Sequence, residues 1–211
     1  MTEFKRRDYR IGGEETEKAF AKGLVNAEWY ILPIQRERLK KLLVRKDGPA
    51  IRDTMIWLAV LIGTGALAYL SWGSWLMIPT FLLYGNIYIL TASSRLHECN
   101  HGTAFKTTWM NDSVFQLAAC MLLLQTRDWS WSHPRHHTDT IIVGRDPEIV
   151  APKPPFWKNL FPQMFLFRAL YVLTRRSFGY LTPSEKEFWI DSDAQLTIWE
   201  ARVYLVIHFG I

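Results

Sequence analysis

Histidine residues are concentrated in one short part of the chain. Five of the six lie between Arg95 and Pro147, in two clusters: His97 and His101, then His133, His136 and His137. Neutral imidazole is a good ligand for iron, zinc and copper. The clustering therefore predicts a metal site.

The spacing within each cluster fits ligands on helices. His97 and His101 are four residues apart, which places both side chains on one face of a helix. Such a pair alone is weak support, because it arises easily by chance. The second cluster reads H-x-x-H-H, and on a helix His136 and His137 lie about one turn beyond His133. Together the clusters predict all five imidazoles as ligands.

A long apolar run precedes the clusters. No Asp, Glu, Lys, Arg or His occurs from Thr54 to Ser94, which is room for two membrane-spanning helices of about 20 residues each. We predict a first span at Met55–Leu70, a turn around Gly73 and a return span at Trp75–Ala92. The predicted fold class is an all-α membrane protein, in which a transmembrane hairpin leads into helices that carry the histidines.

Basic residues directly before the apolar run predict the orientation. They are Arg36, Arg38, Lys40, Lys41, Arg45 and Lys46. Basic residues that flank a span usually stay cytoplasmic and attract anionic lipid. We therefore predict a multi-pass membrane protein with both histidine clusters on the cytoplasmic face. No nucleic-acid recognition motif accompanies the basic cluster, so no nucleic-acid partner is expected.

The remaining segments are predicted to include a tail, interfacial helices, a loop and one further apolar stretch. Residues 1–50 form an N-terminal region with a mobile or loosely docked start. Its Leu32–Arg45 segment is an amphipathic helix on the membrane or, alternatively, an ordinary solvated helix. The further predictions are an interfacial helix at Val114–Gln125 capped by Asp112 or Ser113, a second at Phe156–Leu173, a loop at Tyr180–Ala194, and an apolar, span-like segment from Leu196.

The two clusters resemble the histidine boxes of the integral-membrane fatty acid desaturase and hydroxylase superfamily. H-E-C-N-H at His97–His101 is similar to the H-E-C-x-H first box of acyl-lipid desaturases. S-H-P-R-H-H-T at Ser132–Thr138 is similar to their S-H-x-R-H-H second box. The resemblance covers roughly Met55 to Pro147. It implies that residues 51–211 are the N-terminal part of a desaturase-like domain.

The resemblance also implies an activity. Members hold two non-haem iron ions, mainly through histidine, and use O2 as co-substrate. Electrons come from a ferredoxin or cytochrome b5 type carrier with its reductase. The implied function is an oxidoreductase that introduces a double bond into fatty acyl chains.

Two alternatives remain open. One is a hydroxylase of alkane, carotenoid or sphingolipid substrates on the same scaffold. The other is a membrane zinc protein, either a hydrolase or a receptor-like binder. Metal analysis separates the zinc protein from the iron enzymes.

The chain departs from the family pattern after the second box. Members carry a third box, H/Q-x-x-H-H, whereas this chain has only His208 after His137. We therefore expect a C-terminally truncated member that lacks the third box and the second spanning pair. The 211-residue chain alone is expected to be catalytically silent.

Residues next to the boxes are candidates to orient the ligands. Glu98 is a possible acceptor for a ligand N–H group, with a solvated spacer as the alternative. Asp139 and Asp146 are both candidates to orient an imidazole, and for Asp139 this role is preferred over a surface role. His208 is expected to be structural, and Trp129 and Trp131 are expected to be interfacial anchors.

The hairpin places Ser74 and Ser132 on opposite sides of the membrane. Single cysteines introduced at these positions should react with a membrane-impermeant maleimide from opposite sides of sealed vesicles. Labelling of both positions from the same side would contradict the predicted topology.

Overall fold

The computed structural model describes residues 7–24, 33–149, 158, 167–188 and 191–210. Its helices confirm the predicted all-α class. They are α1 (Thr16–Ala21), α2 (Arg36–Leu42), α3 (Asp47–Leu70), α4 (Met77–Asn100), α5 (Thr108–Met121), α6 (Thr126–Asp139), α7 (Phe167–Ser177), α8 (Pro183–Phe188) and α9 (Asp191–Phe209).

Internal contacts divide the chain into two compact units. The first, here the hairpin unit, is Pro33–Leu122. The second, here the second-box unit, combines Met1–Leu32 with Leu123–Ile211. The predicted domain division at residue 50 stays a prediction.

Helices α3 and α4 of the hairpin unit pack against each other as the predicted hairpin. The Trp57 indole N–H donates to the Thr91 hydroxyl (2.8 Å), and the hydroxyls of Ser71 and Thr80 bond near the turn. Gly73 in that turn has a φ of 79°, which favours glycine. Helix α3 begins before the predicted Met55, and α4 continues past Ala92 into the first histidine box.

Among the described residues, α3 is the one helix long and apolar enough to cross a membrane. Only 17% of its most apolar stretch is buried inside the protein, whereas the core helix of a soluble domain is mostly buried. Helix α4 has the same length but carries Tyr84, Asn86 and Tyr88, whose polar groups lower its hydropathy. The predicted second span therefore exists as a helix, but it is less apolar than a clear membrane span. Helix α9 is likewise less apolar than a clear membrane span.

Helix α5 begins earlier than predicted. Asp112 and Ser113 lie inside it, and Thr107 occupies the N-cap position with extended backbone. The reason is tertiary: the Asp47 carboxylate accepts hydrogen bonds from the Thr107 N–H (2.9 Å) and hydroxyl (2.8 Å). Inside α5, the buried Asn111 side chain bonds both the N–H and the C=O of Phe105.

A buried arginine joins three helices of the second-box unit. Arg176 on α7 is 4% exposed. Its guanidinium donates to Asp128 on α6 (2.9 Å), to Glu185 on α8 (2.6 Å) and to the Gln125 amide oxygen. Burial disfavours the charged form of Glu185, but hydrogen bonds and charge from Arg175 and Arg176 outweigh it and lower its pKa to about 2.

The polar segment predicted as a loop at Tyr180–Ala194 is largely helical. It contains α8 and the start of α9. Thr182 and Glu185 form a capping box, in which the Thr182 N–H donates to the Glu185 carboxylate (2.6 Å) and the Glu185 N–H donates to the Thr182 hydroxyl (3.3 Å). Pro183 fits because the first helical position needs no backbone donor.

The N-terminal segment, predicted to be mobile or loosely docked, is partly packed. Ala19 on α1 is 5% exposed and forms a small apolar cluster with Ile142 and Val143, which follow the second histidine box. Gly144 has a φ of 83°, and a Cβ there would lie 2.8 Å from the Thr16 methyl carbon. The turn after the second box thus packs directly on α1.

Two interfacial predictions are only partly covered by the structure. The described part of Leu32–Arg45 contains α2, whose side chains are solvent-exposed. Most of Phe156–Leu173 lies outside the described residues, and α7 begins at Phe167. Membrane contact of both helices stays a prediction.

Gly144→Ala should destabilise the protein more than Gly179→Ala. Both glycines have a positive φ, which costs a residue with a Cβ roughly 1–2 kcal/mol. Only the Gly144 Cβ meets a close neighbour, which adds about 1–3 kcal/mol of overpacking. Thermal unfolding in detergent should therefore occur at a lower temperature for Gly144→Ala.

Thr16→Ser supplies the matched control. It removes the methyl carbon but keeps the hydroxyl that donates to the Arg10 carbonyl (3.0 Å). In the Gly144→Ala background it should recover the extra loss. Equal unfolding temperatures for Gly144→Ala and Gly179→Ala would contradict the contact.

Candidate metal centre

The first histidine pair lies at the C-terminal end of α4. His97 is in the last turn of the helix, and His101 directly follows it. Their ring centroids are 4.8 Å apart with ring planes at 73°. Both side chains are solvent-exposed. The four-residue spacing thus produces two neighbouring imidazoles at the edge of the hairpin unit.

The backbone after His101 is fixed by contacts within the same unit. Gly102 has a φ of 61° and ends the helix. Its carbonyl accepts a hydrogen bond from Arg45. His101 lines a cavity of about 590 Å³ beside the connection between α2 and α3, so ligands of moderate size can reach this imidazole.

The second cluster lies on α6, which is helical as its spacing requires. His133 and His137 are one turn apart, with ring centroids separated by 4.6 Å. The Nε2 atoms of these two rings are 3.1 Å apart. His133 is only 4% exposed, whereas His137 is exposed. One nitrogen of each ring therefore faces the same point.

This geometry fits a metal ion. Ligand nitrogens about 2.0–2.1 Å from one ion at angles of about 90–110° lie roughly 2.8–3.4 Å apart. The 3.1 Å separation between the two Nε2 atoms falls in that range. Imidazole nitrogens suit iron, zinc and copper, so the donors present do not by themselves select iron.

Two carboxylates hold the other nitrogens of the cluster. The His133 Nδ1 lies 2.9 Å from Glu148 Oε1. The His136 Nδ1 lies 3.0 Å from each oxygen of Asp146, which is 2% exposed. A neutral imidazole that donates through Nδ1 presents a bare Nε2. The carboxylates thus favour the tautomer of both rings in which Nε2 carries no proton.

Asp139 has a basic partner in the structure, and its predicted role beside the histidines stays a prediction. Its carboxylate forms an ion pair with Arg145 at 2.7 Å, because it lies on the side of α6 where the following turn brings that guanidinium. Asp146, the other acidic candidate after the second box, lies within hydrogen-bond distance of the His136 ring. Glu98, the other candidate, pairs with Arg95 on its own helix at 3.3 Å.

The sequence analysis missed Glu148 and the stacking of Trp129 on His133. Glu148 follows Asp146 in the R-D-P-E segment, and only its acidic type signalled a role. The Trp129 ring stacks on His133 with centroids 4.8 Å apart and planes at 18°. One helical turn separates Trp129 from His133, so the i, i+4 spacing was the available signal.

The comparison with protein families identifies the chain. The fatty acid desaturase family model matches residues 73–211, a range that includes both boxes. The chain belongs to the fatty acid desaturase family. This confirms the resemblance read from the two boxes. No solved structure matches this desaturase-family chain.

Several curated relatives are similar over part of this chain. The Delta(12)-acyl-lipid-desaturase of Punica granatum is 31% identical over 90 residues, 43% of this chain and 21% of the relative. The Delta(12)-fatty-acid desaturase of Arabidopsis thaliana is 32% identical over 87 residues, 41% of this chain and 21% of the relative. The match thus spans about a fifth of each relative.

The two facing Nε2 atoms of His133 and His137 predict which substitutions reduce metal binding most. His133→Ala and His137→Ala should each lower the metal retained by the purified protein, because each removes one of the two Nε2 atoms. His208→Ala is the matched control, since His208 lies near the end of α9 beside Phe209. Mass spectrometry of bound metal is the measurement, and full retention by His137→Ala would contradict the site.

Proposed function

We propose that this chain carries the first two histidine boxes of a membrane-bound, non-haem di-iron desaturase. Its reaction introduces a double bond into a fatty acyl chain, with O2 as co-substrate. The observation that carries the proposal is the 3.1 Å approach of the His133 and His137 Nε2 atoms within the second box. The family match over residues 73–211 supports the choice of reaction.

The proposed iron ligands are five histidines: His97, His101, His133, His136 and His137. Bound iron supplies the O2 chemistry needed to remove hydrogen from an unactivated CH2 group, which acid–base side chains cannot do. Two hydrogens of the acyl chain, two electrons from a carrier and two protons reduce one O2 to two waters.

The residues around the second box keep the ligands in place. Trp129 covers one ring face of His133 and the Glu148 carboxylate holds its Nδ1. This enclosure excludes bulk water from the protein side of the imidazole. Helix α6 starts at Thr126, whose N–H and hydroxyl donate to Glu200 on α9 (2.9 and 2.7 Å). The ligand-bearing helix is thereby anchored at its first residue.

The membrane places the substrate beside the proposed iron site. Helix α3 is long and apolar enough to span, and basic residues lie before it. We propose a multi-pass protein whose histidine boxes face the cytoplasm, where a soluble ferredoxin or a cytochrome b5 type carrier with its reductase delivers electrons. The printed name of a Nostoc relative, an sn-1 acyl-lipid omega-3 desaturase, includes ferredoxin.

Expression of the full-length gene product in membranes tests the function. With iron, a carrier and its reductase, lipid extracts should contain acyl chains with one added double bond, detected by gas chromatography and mass spectrometry. His136→Ala should reduce product to background, and His208→Ala should retain most activity. About two irons per chain are expected in the purified protein.

Three outcomes would contradict the proposal. Hydroxylated product without desaturated product would favour the hydroxylase alternative. One zinc per chain would favour the zinc protein. Normal product from His136→Ala would remove that residue from the ligand set.

A further inference from the structure

The Asp146 carboxylate is enclosed by donors. It is 2% exposed. Its Oδ2 accepts the Ile141 N–H (2.8 Å), its Oδ1 accepts the Glu148 N–H (2.8 Å), and both oxygens face the His136 Nδ1 at 3.0 Å. A carboxylate this deeply buried needs such partners. Its position is fixed by two backbone groups, so it can fix the imidazole in turn.

The Glu148 carboxylate contacts the His133 ring in the same way. Its Oε1 lies 2.9 Å from the His133 Nδ1, and its Oε2 lies 3.8 Å from the His136 Nε2. The Glu148 N–H is one of the two backbone donors to Asp146. The two carboxylates therefore belong to one hydrogen-bonded unit, which spans both imidazoles.

We propose that Asp146 and Glu148 are positioning residues that make Nε2 the metal-facing nitrogen of His136 and His133. This inference rests on the proposed function. Each carboxylate accepts the Nδ1 proton, which fixes both the tautomer and the ring rotation. A carboxylate on the far nitrogen also makes the imidazole a stronger donor.

The turn that carries Asp146 is held from outside the box. Ile141 has a φ of 63°, uncommon for a β-branched residue, and this conformation brings its N–H to the Asp146 carboxylate. Gly144 permits the close approach to Thr16 on α1. Helix α1 lies before residue 73, where the family match begins. This chain thus stabilises the orienting turn with a segment outside the matched region.

Asp139 provides a matched control within the same segment. It is an acidic residue two positions after His137, but its carboxylate pairs with Arg145. Asp139→Asn therefore removes a nearby negative charge without removing an acceptor for an imidazole. A general loss of charge near the metal would affect this variant as well.

The test is competition for Fe²⁺ between the full-length protein and a chromophoric chelator, without O2. Glu148→Ala should weaken iron binding about 10–100-fold, the usual cost of losing such a partner. Glu148→Gln should bind nearly as tightly as wild type, because its amide oxygen can accept the same proton. Asp146→Asn should bind more weakly, since its NH2 group meets a backbone N–H. Asp139→Asn should match wild type.

Two further measurements separate positioning from folding. Mössbauer spectra of iron-loaded Glu148→Ala should differ from wild type, while Glu148→Gln should reproduce the wild-type spectrum. Unfolding temperatures of the metal-free proteins identify a variant that fails to fold. If Asp146→Asn fails, the Glu148 pair decides the question.

The outcomes distinguish this inference from the proposed function. Absence of iron binding by wild type would overturn the proposed function. Wild-type affinity in both Glu148→Ala and Asp146→Asn would overturn the positioning role alone. Equal weakening by Glu148→Ala and Glu148→Gln would also overturn it, since the acceptor is present in only one of them.

Discussion

The second-box unit depends on one buried carboxylate, that of Asp146. At 2% exposure it must be fully hydrogen-bonded to be tolerated. Its partners explain the local structure: the left-handed backbone of Ile141 supplies one N–H, and Glu148 supplies the other. The carboxylate oxygens have further acceptor positions, and these face the His136 Nδ1. Backbone strain and imidazole orientation therefore have the same physical cause.

Charged side chains at helix ends organise both units in a similar way. Asp47 receives the N–H and hydroxyl of Thr107 before α5, and Glu200 receives those of Thr126 at the start of α6. A carboxylate is favourable there because the first turn has unpaired N–H groups and a positive dipole end. In each case a distant helix supplies the acceptor, so tertiary contacts position these helix starts.

A helix outside the region of the family match packs against the turn that follows the second histidine box. Both histidine boxes fall inside the family match over residues 73–211. Helix α1 precedes it, yet Ala19 and Thr16 pack against the turn that follows the second box. The tail predicted to be mobile or loosely docked thus contributes to the unit that holds His133 and His137. A short polar sequence gave little sign of this, because only Ala19 of α1 is buried.

Features that depend on local pattern alone were predictable from the sequence. The uncharged run from Thr54 to Ser94 predicted the helical hairpin, and the four-residue spacings predicted neighbouring imidazoles on α4 and α6, because helical geometry is fixed. Which acidic residue contacts the His136 ring follows from the tertiary fold and not from a local pattern. Asp139 is nearer in sequence, but the turn through Ile141 and Gly144 brings Asp146 to the ring and leaves Asp139 beside Arg145. Partner choice among several nearby charges depends on backbone direction after a helix end, which no short-range pattern specifies.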